Sequence, residues 1–175
     1  MELEKNIKIL IHERNIQKTI KEIAQIINKD YRTKNPILIC VLKGACIFFV
    51  DLIRYLNIEI EIEFIELSSY GANIESSEKV KIIKWLTSDI ENREIIIIED
   101  IVDTGITIDF LINKLSECNP LSIKLCSLTS KPTKRKKKIK IDYIGFEIPD
   151  KFIIGYGFDL NEKYRNLRDI YYIDD

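Results

Sequence analysis

Four consecutive isoleucines, Ile95–Ile98, followed at once by Glu99 and Asp100, constrain the fold of this chain more than any other feature. A short apolar run without alternation is typical of a strand that is buried on both faces of a sheet. Such strands occur where helices cover a mostly parallel sheet. We therefore expect a buried strand with two carboxylates at its carboxyl end.

The rest of the chain alternates between strand-like and helix-like segments. Together they predict an α/β fold with a mostly parallel central sheet flanked by helices, and we expect 1–175 to form a single domain. The polar segment 68–78 is predicted to be a loop. Helices are predicted around 16–27, over 47–56 and after 105, and strands over 37–42, 58–67, 79–86, 95–98, 121–128, 141–148 and 152–156.

Composition narrows the class of protein. The 27 basic and 28 acidic residues give a net charge of -1, which argues against a dedicated nucleic-acid binder. The charged N-terminus does not resemble a secretory signal, and no apolar run approaches the ~20 residues of a membrane span. The four cysteines show no close pairing, which favours buried free thiols in a reducing cytoplasm. We expect a cytoplasmic protein.

The segment 103–107 follows the acids and suits a sugar phosphate. Gly105 permits a tight turn, and the amides at the start of the next helix can bind a phosphate. Carboxylates would repel phosphate, but they suit ribose hydroxyls or a hydrated magnesium ion. A plainer interpretation is that Asp103 and Thr104 merely cap the helix. The combination of acids, hydroxyls and glycine favours the binding site.

The segment Glu99–Thr107 resembles the phosphoribosyl pyrophosphate signature of the type I phosphoribosyltransferase family. Other segments are similar to its hypoxanthine-guanine branch of the short bacterial type, and they follow in the same order from Pro36 onward. They are the pyrophosphate loop at 41–45, the catalytic loop at 68–71, the strand before the base site at 142–150, and the C-terminal purine and metal segments at 152–159 and 164–167.

The resemblance implies purine salvage: magnesium-dependent transfer of the 5-phosphoribosyl group from phosphoribosyl pyrophosphate to hypoxanthine or guanine. It implies a small hood formed by N- and C-terminal segments, and a homodimer or homotetramer. Asp103 would be the general acid/base for the purine N7 proton. Glu99 and Asp100 would hold the ribose hydroxyls and Mg²⁺. The 5-phosphate would be bound by Thr104, Gly105, Ile106 and Thr107, with Ile106 contributing only its backbone.

Further roles follow from the same resemblance. Lys43 and Gly44 would contact pyrophosphate, and members of the family often have a non-proline cis peptide at this step. Ser69 and Tyr70 would close over the bound substrates. The remaining assignments are Lys131 to the purine 6-oxo group, Phe152 to stacking on the base, Ile153 to the purine edge, Asp159 to magnesium and Arg165 to pyrophosphate.

Two competing interpretations remain open at the level of sequence. An adenine or pyrimidine phosphoribosyltransferase would share the sugar-phosphate signature. An RNA-binding regulator of the same fold is suggested only by the basic cluster Lys134–Lys138, and the near-zero net charge disfavours it. We expect Lys131 alone of the basic run 131–140 to lie in the site. His12, the only histidine, is far in sequence from every motif and is not expected to be catalytic.

Overall fold

The computed structural model describes residues 7–70 and 79–174. A six-stranded sheet in the order β4-β3-β2-β5-β6-β7 forms the centre. All of its pairings are parallel except β3 with β4. Its strands are β2 (Ile37–Leu42), β3 (Glu61–Tyr70), β4 (Lys79–Lys84), β5 (Glu94–Val102), β6 (Ser122–Ser130) and β7 (Tyr143–Glu147).

Helices cover the two faces of this sheet, as the apolar strands require. The helices α1 (Glu13–Asp30) and α2 (Cys46–Ile53) pack on one face, in a core that includes Leu38 and Ile96. The helix α3 (Ile106–Ser116) packs on the other, in a core that includes Ile95 and Ile97. Alternate isoleucines of β5 therefore enter opposite cores, which explains why the run shows no polar alternation.

A second, three-stranded sheet joins the two ends of the chain. It consists of β1 (Ile7–Ile11), β9 (Ile170–Ile173) and β8 (Ile153–Ile154), all antiparallel. Asp169 helps to fix it, because its carboxylate accepts a hydrogen bond from the backbone N–H of Glu13, at 2.7 Å, and so caps α1. The predicted hood of N- and C-terminal segments is confirmed.

Several predicted boundaries are wrong. The strand β3 continues through residues 68–70, where a loop was predicted, because it pairs with β4; residues 71–78 lie outside the described residues. The strand β5 does not stop at Ile98 but runs on to Val102, because its backbone pairs with β6 as far as Ser130. The helix α2 ends at Ile53 rather than at residue 56. The predicted strand 152–156 is reduced to Ile153–Ile154.

The non-proline cis peptide also lies elsewhere than expected. It joins Leu42 to Lys43, one bond before the Lys43–Gly44 step that the family resemblance indicated. It follows the last residue of β2 and opens the turn into α2. Within the described residues, no helix has the length and hydropathy needed to cross a membrane.

Candidate active site

A cavity of about 590 Å³ lies at the carboxyl ends of β2, β3 and β5. Crevices at this end of a parallel sheet are the usual ligand sites of open α/β folds. Its walls come from four stretches of chain that are distant in sequence: 41–44, 66–68, 99–108 and the C-terminal residues Asp159, Glu162 and Arg165. Ile83 also lines the cavity, whereas Ile106 does not.

The turn after β5 is braced from behind. Gly105 has φ +83°, a left-handed conformation that glycine adopts without strain, and a Cβ there would lie 2.9 Å from Cγ1 of Ile139. The carbonyl of Thr104 accepts hydrogen bonds from the backbone N–H groups of Lys136 and Lys137, at 2.9 and 3.1 Å. The turn is therefore held by the segment after β6, while Thr104, Gly105 and Thr107 line the cavity.

Glu99 and Asp100 are adjacent carboxyl groups at the floor of the cavity, and only 7% of Glu99 is exposed. Burial raises the pKa of Glu99, and the charge of Asp100 raises it further. Burial also raises the pKa of Asp100, although its hydrogen bonds with Glu99 and backbone amides and the charge of Arg165 act in the opposite direction. A bound cation would relieve this unfavourable concentration of negative charge.

The acids fit a magnesium ion that is shared with a ligand. In the part of the chain that the structure describes, no three His, Cys, Asp or Glu side chains converge into a complete metal site. Mg²⁺ in phosphate sites is commonly held by one or two carboxylates, with water and phosphate oxygens filling the other positions. Glu99 and Asp100 can supply this partial set. Asp159 lines the same cavity, where its Oδ1 lies 2.8 Å from Nη2 of Arg165.

Two basic side chains, Lys43 and Arg165, lie at the mouth of the cavity. Arg165 Nη1 donates to the carbonyl of Gly157, at 2.8 Å, and its buried Nε has no hydrogen-bond partner within the described residues. Gly44 lies close to the C-terminal segment, since a Cβ at Gly157 would lie 2.1 Å from the carbonyl oxygen of Gly44. The pyrophosphate-loop candidates and the C-terminal segment are therefore in direct contact beside the cavity.

A second cavity of about 350 Å³ adjoins the first. One wall carries Lys131, which is 6% exposed and lies 3.7 Å from a carboxylate oxygen of Asp150. Another wall carries Phe152, which is 53% exposed and presents a free aromatic surface, next to the buried Ile153. A lysine, an aromatic ring and backbone groups are suited to a flat heterocycle with an oxo group.

Asp103 lies where the two cavities meet, since it lines both of them. Its Oδ1 is buried, and no group among the described residues forms a hydrogen bond with it. An unsatisfied buried acceptor is costly in a structure that serves only stability. A proton donor on a molecule that bridges the cavities would satisfy it.

The structure brings together most of the predicted site residues, but not all of them. Ile106 does not line the cavity, and its backbone N–H makes a long hydrogen bond, 3.4 Å, to Oγ1 of Thr104 instead. The backbone of Ser69 and Tyr70 belongs to β3, and the positions of their side chains lie outside the described residues. His12 precedes α1 in the hood and is absent from the walls of both cavities.

Three residues of the site were missed in the sequence. Lys134 lines the second cavity and pairs with Asp150, at 2.9 Å, so the expectation that only Lys131 of the basic run enters the site is wrong. Arg135 donates to Oγ of Ser130, at 2.7 Å, behind the turn. Glu162 lines the first cavity. The three-residue spacing of Lys131 and Lys134, across a 3₁₀ turn, could have indicated that both lysines enter the site. Nothing in the sequence indicated a place in the site for Glu162 or Arg135.

Comparisons with known proteins agree with this geometry. The family model described as phosphoribosyl transferase domain matches residues 7–161. The chain is 46% identical over 160 residues to the hypoxanthine-guanine phosphoribosyltransferase of Bacillus subtilis, covering 91% of this chain and 89% of that protein. Another relative, the hypoxanthine-guanine-xanthine phosphoribosyltransferase of Tritrichomonas foetus, is 42% identical over 91% of this chain and 87% of its own length.

A solved structure of the same family has the same fold. A crystal structure of a hypoxanthine-guanine phosphoribosyltransferase from Bacillus anthracis superimposes with a TM-score of 0.91 and 41% identity, covering 95% of this chain and 98% of that one.

Proposed function

Because the chain belongs to the phosphoribosyltransferase family, we propose that its two joined cavities bind phosphoribosyl pyrophosphate and an oxopurine side by side. The chain is a pentosyltransferase of purine salvage, as its relatives are. The reaction transfers the 5-phosphoribosyl group to hypoxanthine or guanine and gives IMP or GMP and pyrophosphate. The observation that carries the site assignment is the buried Oδ1 of Asp103 between the cavities, which has no hydrogen-bond partner among the described residues.

The larger cavity is assigned to phosphoribosyl pyrophosphate. The braced turn supplies Thr104, Gly105 and Thr107 for the 5-phosphate, where amides and hydroxyls are suitable donors. Ile106, which does not line the cavity, would contribute only its backbone, as the resemblance implied. Lys43 and Arg165 line the same cavity and would bind the pyrophosphate, for which an arginine fork is well suited.

The acids at the floor are assigned to the ribose hydroxyls and to Mg²⁺. Glu99, Asp100 and Asp159 would hold the ion, Asp159 once its pairing with Arg165 loosens. Mg²⁺ held by these residues would supply positive charge to neutralise the pyrophosphate group. The requirement for magnesium at these residues is part of the proposal.

The smaller cavity is assigned to the purine. Phe152 would stack on the base, Lys131 would donate to its 6-oxo group, and the backbone of Ile153 would meet its edge. With the base held next to C1 of the ribose, the transfer becomes nearly unimolecular. Asp103 would accept the N7 proton as the glycosidic bond forms, and no covalent enzyme intermediate is needed.

Ser69 and Tyr70 are proposed to close over the bound substrates, and 1–175 to act as a single domain. The proposal also includes a cytoplasmic location and assembly into a homodimer or homotetramer. The continuous central sheet and the hood, which draws on both ends of the chain, support the single domain.

Steady-state kinetics with phosphoribosyl pyrophosphate, Mg²⁺ and each of hypoxanthine, guanine, xanthine and adenine will test the proposal. Formation of IMP and GMP, with little or no AMP, is expected, and the rates will rank the oxopurines. Turnover only with adenine, or only with a pyrimidine base, would contradict the assignment of the second cavity.

A further inference from the structure

One carboxylate oxygen, Oε2 of Glu162, holds both cations of the cavity mouth. It lies 3.3 Å from Nζ of Lys43 and 3.3 Å from Nη2 of Arg165. Arg165 is also paired with Asp159, at 2.8 Å. The two side chains proposed to bind pyrophosphate are therefore already paired with an acid of the chain itself.

Glu162 is held at this place by an unusual turn. The backbones of Leu160 and Lys163 exchange two hydrogen bonds of 3.1 Å, and the residues between them, Asn161 and Glu162, have φ +52° and +62°. Two positive φ angles characterise a type I′ turn, in which the second central position strongly prefers glycine. A glutamate there costs conformational free energy, which indicates that the side chain has a use.

The turn also orients the neighbouring acid. The backbone N–H of Glu162 donates to Oδ2 of Asp159, at 2.9 Å, so the turn ties the candidate metal ligand to the same group of charges. Hydrogen bonds from Lys43 and Arg165 lower the pKa of Glu162, which keeps its carboxylate ionised. The side chain is 65% exposed and can swing away when a stronger anion arrives.

We propose that Glu162 sets the affinity of the pyrophosphate site: its carboxylate competes with pyrophosphate for Lys43 and Arg165 and so promotes release of that product. This rests on the proposed function. Pyrophosphate must displace Glu162 to reach both cations, and Glu162 recaptures them as pyrophosphate departs. Glu162 does not line the second cavity, which is assigned to the purine, so recognition of the purine should not depend on Glu162.

Glu162→Gln removes the charge but keeps the length of the side chain and the turn. We expect the inhibition constant for inorganic pyrophosphate to fall about three- to tenfold, the effect of losing two exposed ion pairs. KM for phosphoribosyl pyrophosphate should fall with it, and KM for hypoxanthine should not move. The difference from the parent protein should shrink at high salt, which screens exposed charges.

Two further variants keep the test decisive. Glu162→Gly should give the same fall in the inhibition constant and also raise the melting temperature, because glycine suits the turn. Glu117→Gln is the matched control: that acid pairs with Lys114 on α3, outside both cavities, and its loss should leave inhibition unchanged. An inhibition constant that is unchanged or higher in Glu162→Gln would overturn the inference.

Calorimetric titration with magnesium pyrophosphate separates this inference from the proposed function. A parent protein without turnover on any purine would refute the proposed function, yet the affinity of both proteins for pyrophosphate could still be compared. A parent protein that turns over normally, with equal pyrophosphate affinity in Glu162→Gln, would refute the role of Glu162 alone.

Discussion

Gly44 lies directly against the carboxylate of Asp100: a Cβ atom at residue 44 would be 1.7 Å from Oδ2 of Asp100. The parallel pairing of β2 with β5 aligns Cys40 with Ile98, so the turn that follows β2 and the acids of β5 share one narrow space. The turn can approach the acids only because residue 44 has no side chain.

Gly44→Ala should therefore lower activity by about tenfold or more, because the added methyl group must push the carboxylate of Asp100 or the loop itself out of place. The free energy of unfolding should also fall by about 1–3 kcal/mol, as for other overpacked sites. Initial rates of IMP formation and urea denaturation will measure the two effects.

A double-mutant cycle with Asp100→Ala provides the control. Removing the carboxylate removes the atoms that the methyl group would meet, so Gly44→Ala should cost less stability in the Asp100→Ala background than in the parent protein. Equal costs in both backgrounds would show that the contact between residues 44 and 100 is not the cause.

Asp103→Asn should lower kcat by about 10²–10⁴-fold, because an amide cannot accept the N7 proton. Binding of phosphoribosyl pyrophosphate should change little, since the replacement has nearly the same shape. Pyrophosphate release and calorimetric binding will measure the two quantities separately. Asp109→Asn is the matched control: this acid lies on α3, pairs with Lys137, and lines neither cavity. Full activity of Asp103→Asn would remove Asp103 from the mechanism.

Lys131→Ala should reduce discrimination against adenine, because the proposed role of the buried ammonium group is to donate to a 6-oxo group, and it would repel a 6-amino donor. The ratio of kcat/KM for hypoxanthine and adenine should fall by about tenfold or more. Lys134→Ala should change the ratio less, because Lys134 is 43% exposed and its charge is screened by water. A larger effect at residue 134 than at residue 131 would reverse the assignment.

Glu63→Gln should lower stability in a pH-dependent way. Burial tends to raise the pKa of Glu63, but hydrogen bonds from Ser88 and Thr87 outweigh burial and lower the pKa. A lowered pKa in the folded state stabilises the protein above the ordinary pKa of a glutamate, and the contribution is lost as the pH falls through the lowered value. The variant should be less stable by about 1 kcal/mol near pH 7.

Urea denaturation of both proteins at neutral and acidic pH will measure this difference, which should shrink toward acidic pH. Glu59→Gln, at an exposed position before β3, should behave like the parent protein throughout. A difference that persisted or grew on acidification would show that Glu63 is not stabilised as a carboxylate.

Much of the fold could be predicted because local patterns follow directly from burial. The run Ile95–Ile98 lies between two cores, and a strand in that setting has no polar face to alternate with. The end of β5 could not be predicted, because Glu99 and Asp100 look like a strand exit and only pairing with β6 keeps their backbone extended. The strands β1 and β9 were not predicted either; among the described residues β1 pairs only with β9, at the other end of the chain.

The candidate site, like the fold, could be predicted only in part from the sequence. The acids and the turn at 99–107 are contiguous, so their residue types and order are enough to indicate sugar-phosphate chemistry. The pairing of Glu162 with Lys43 and the position of Lys134 next to Asp150 join segments whose sequences give no sign of each other.

The sequence by itself determined the α/β architecture and the residue types of the phosphate turn, because hydrophobic periodicity and turn chemistry act between near neighbours. Only the tertiary structure decided that Asp103 lies between two cavities with an oxygen that no other described residue pairs with, and that the Glu162 carboxylate holds both Lys43 and Arg165. The physical reason is that electrostatics and close packing depend on distance in space, which chain separation does not specify.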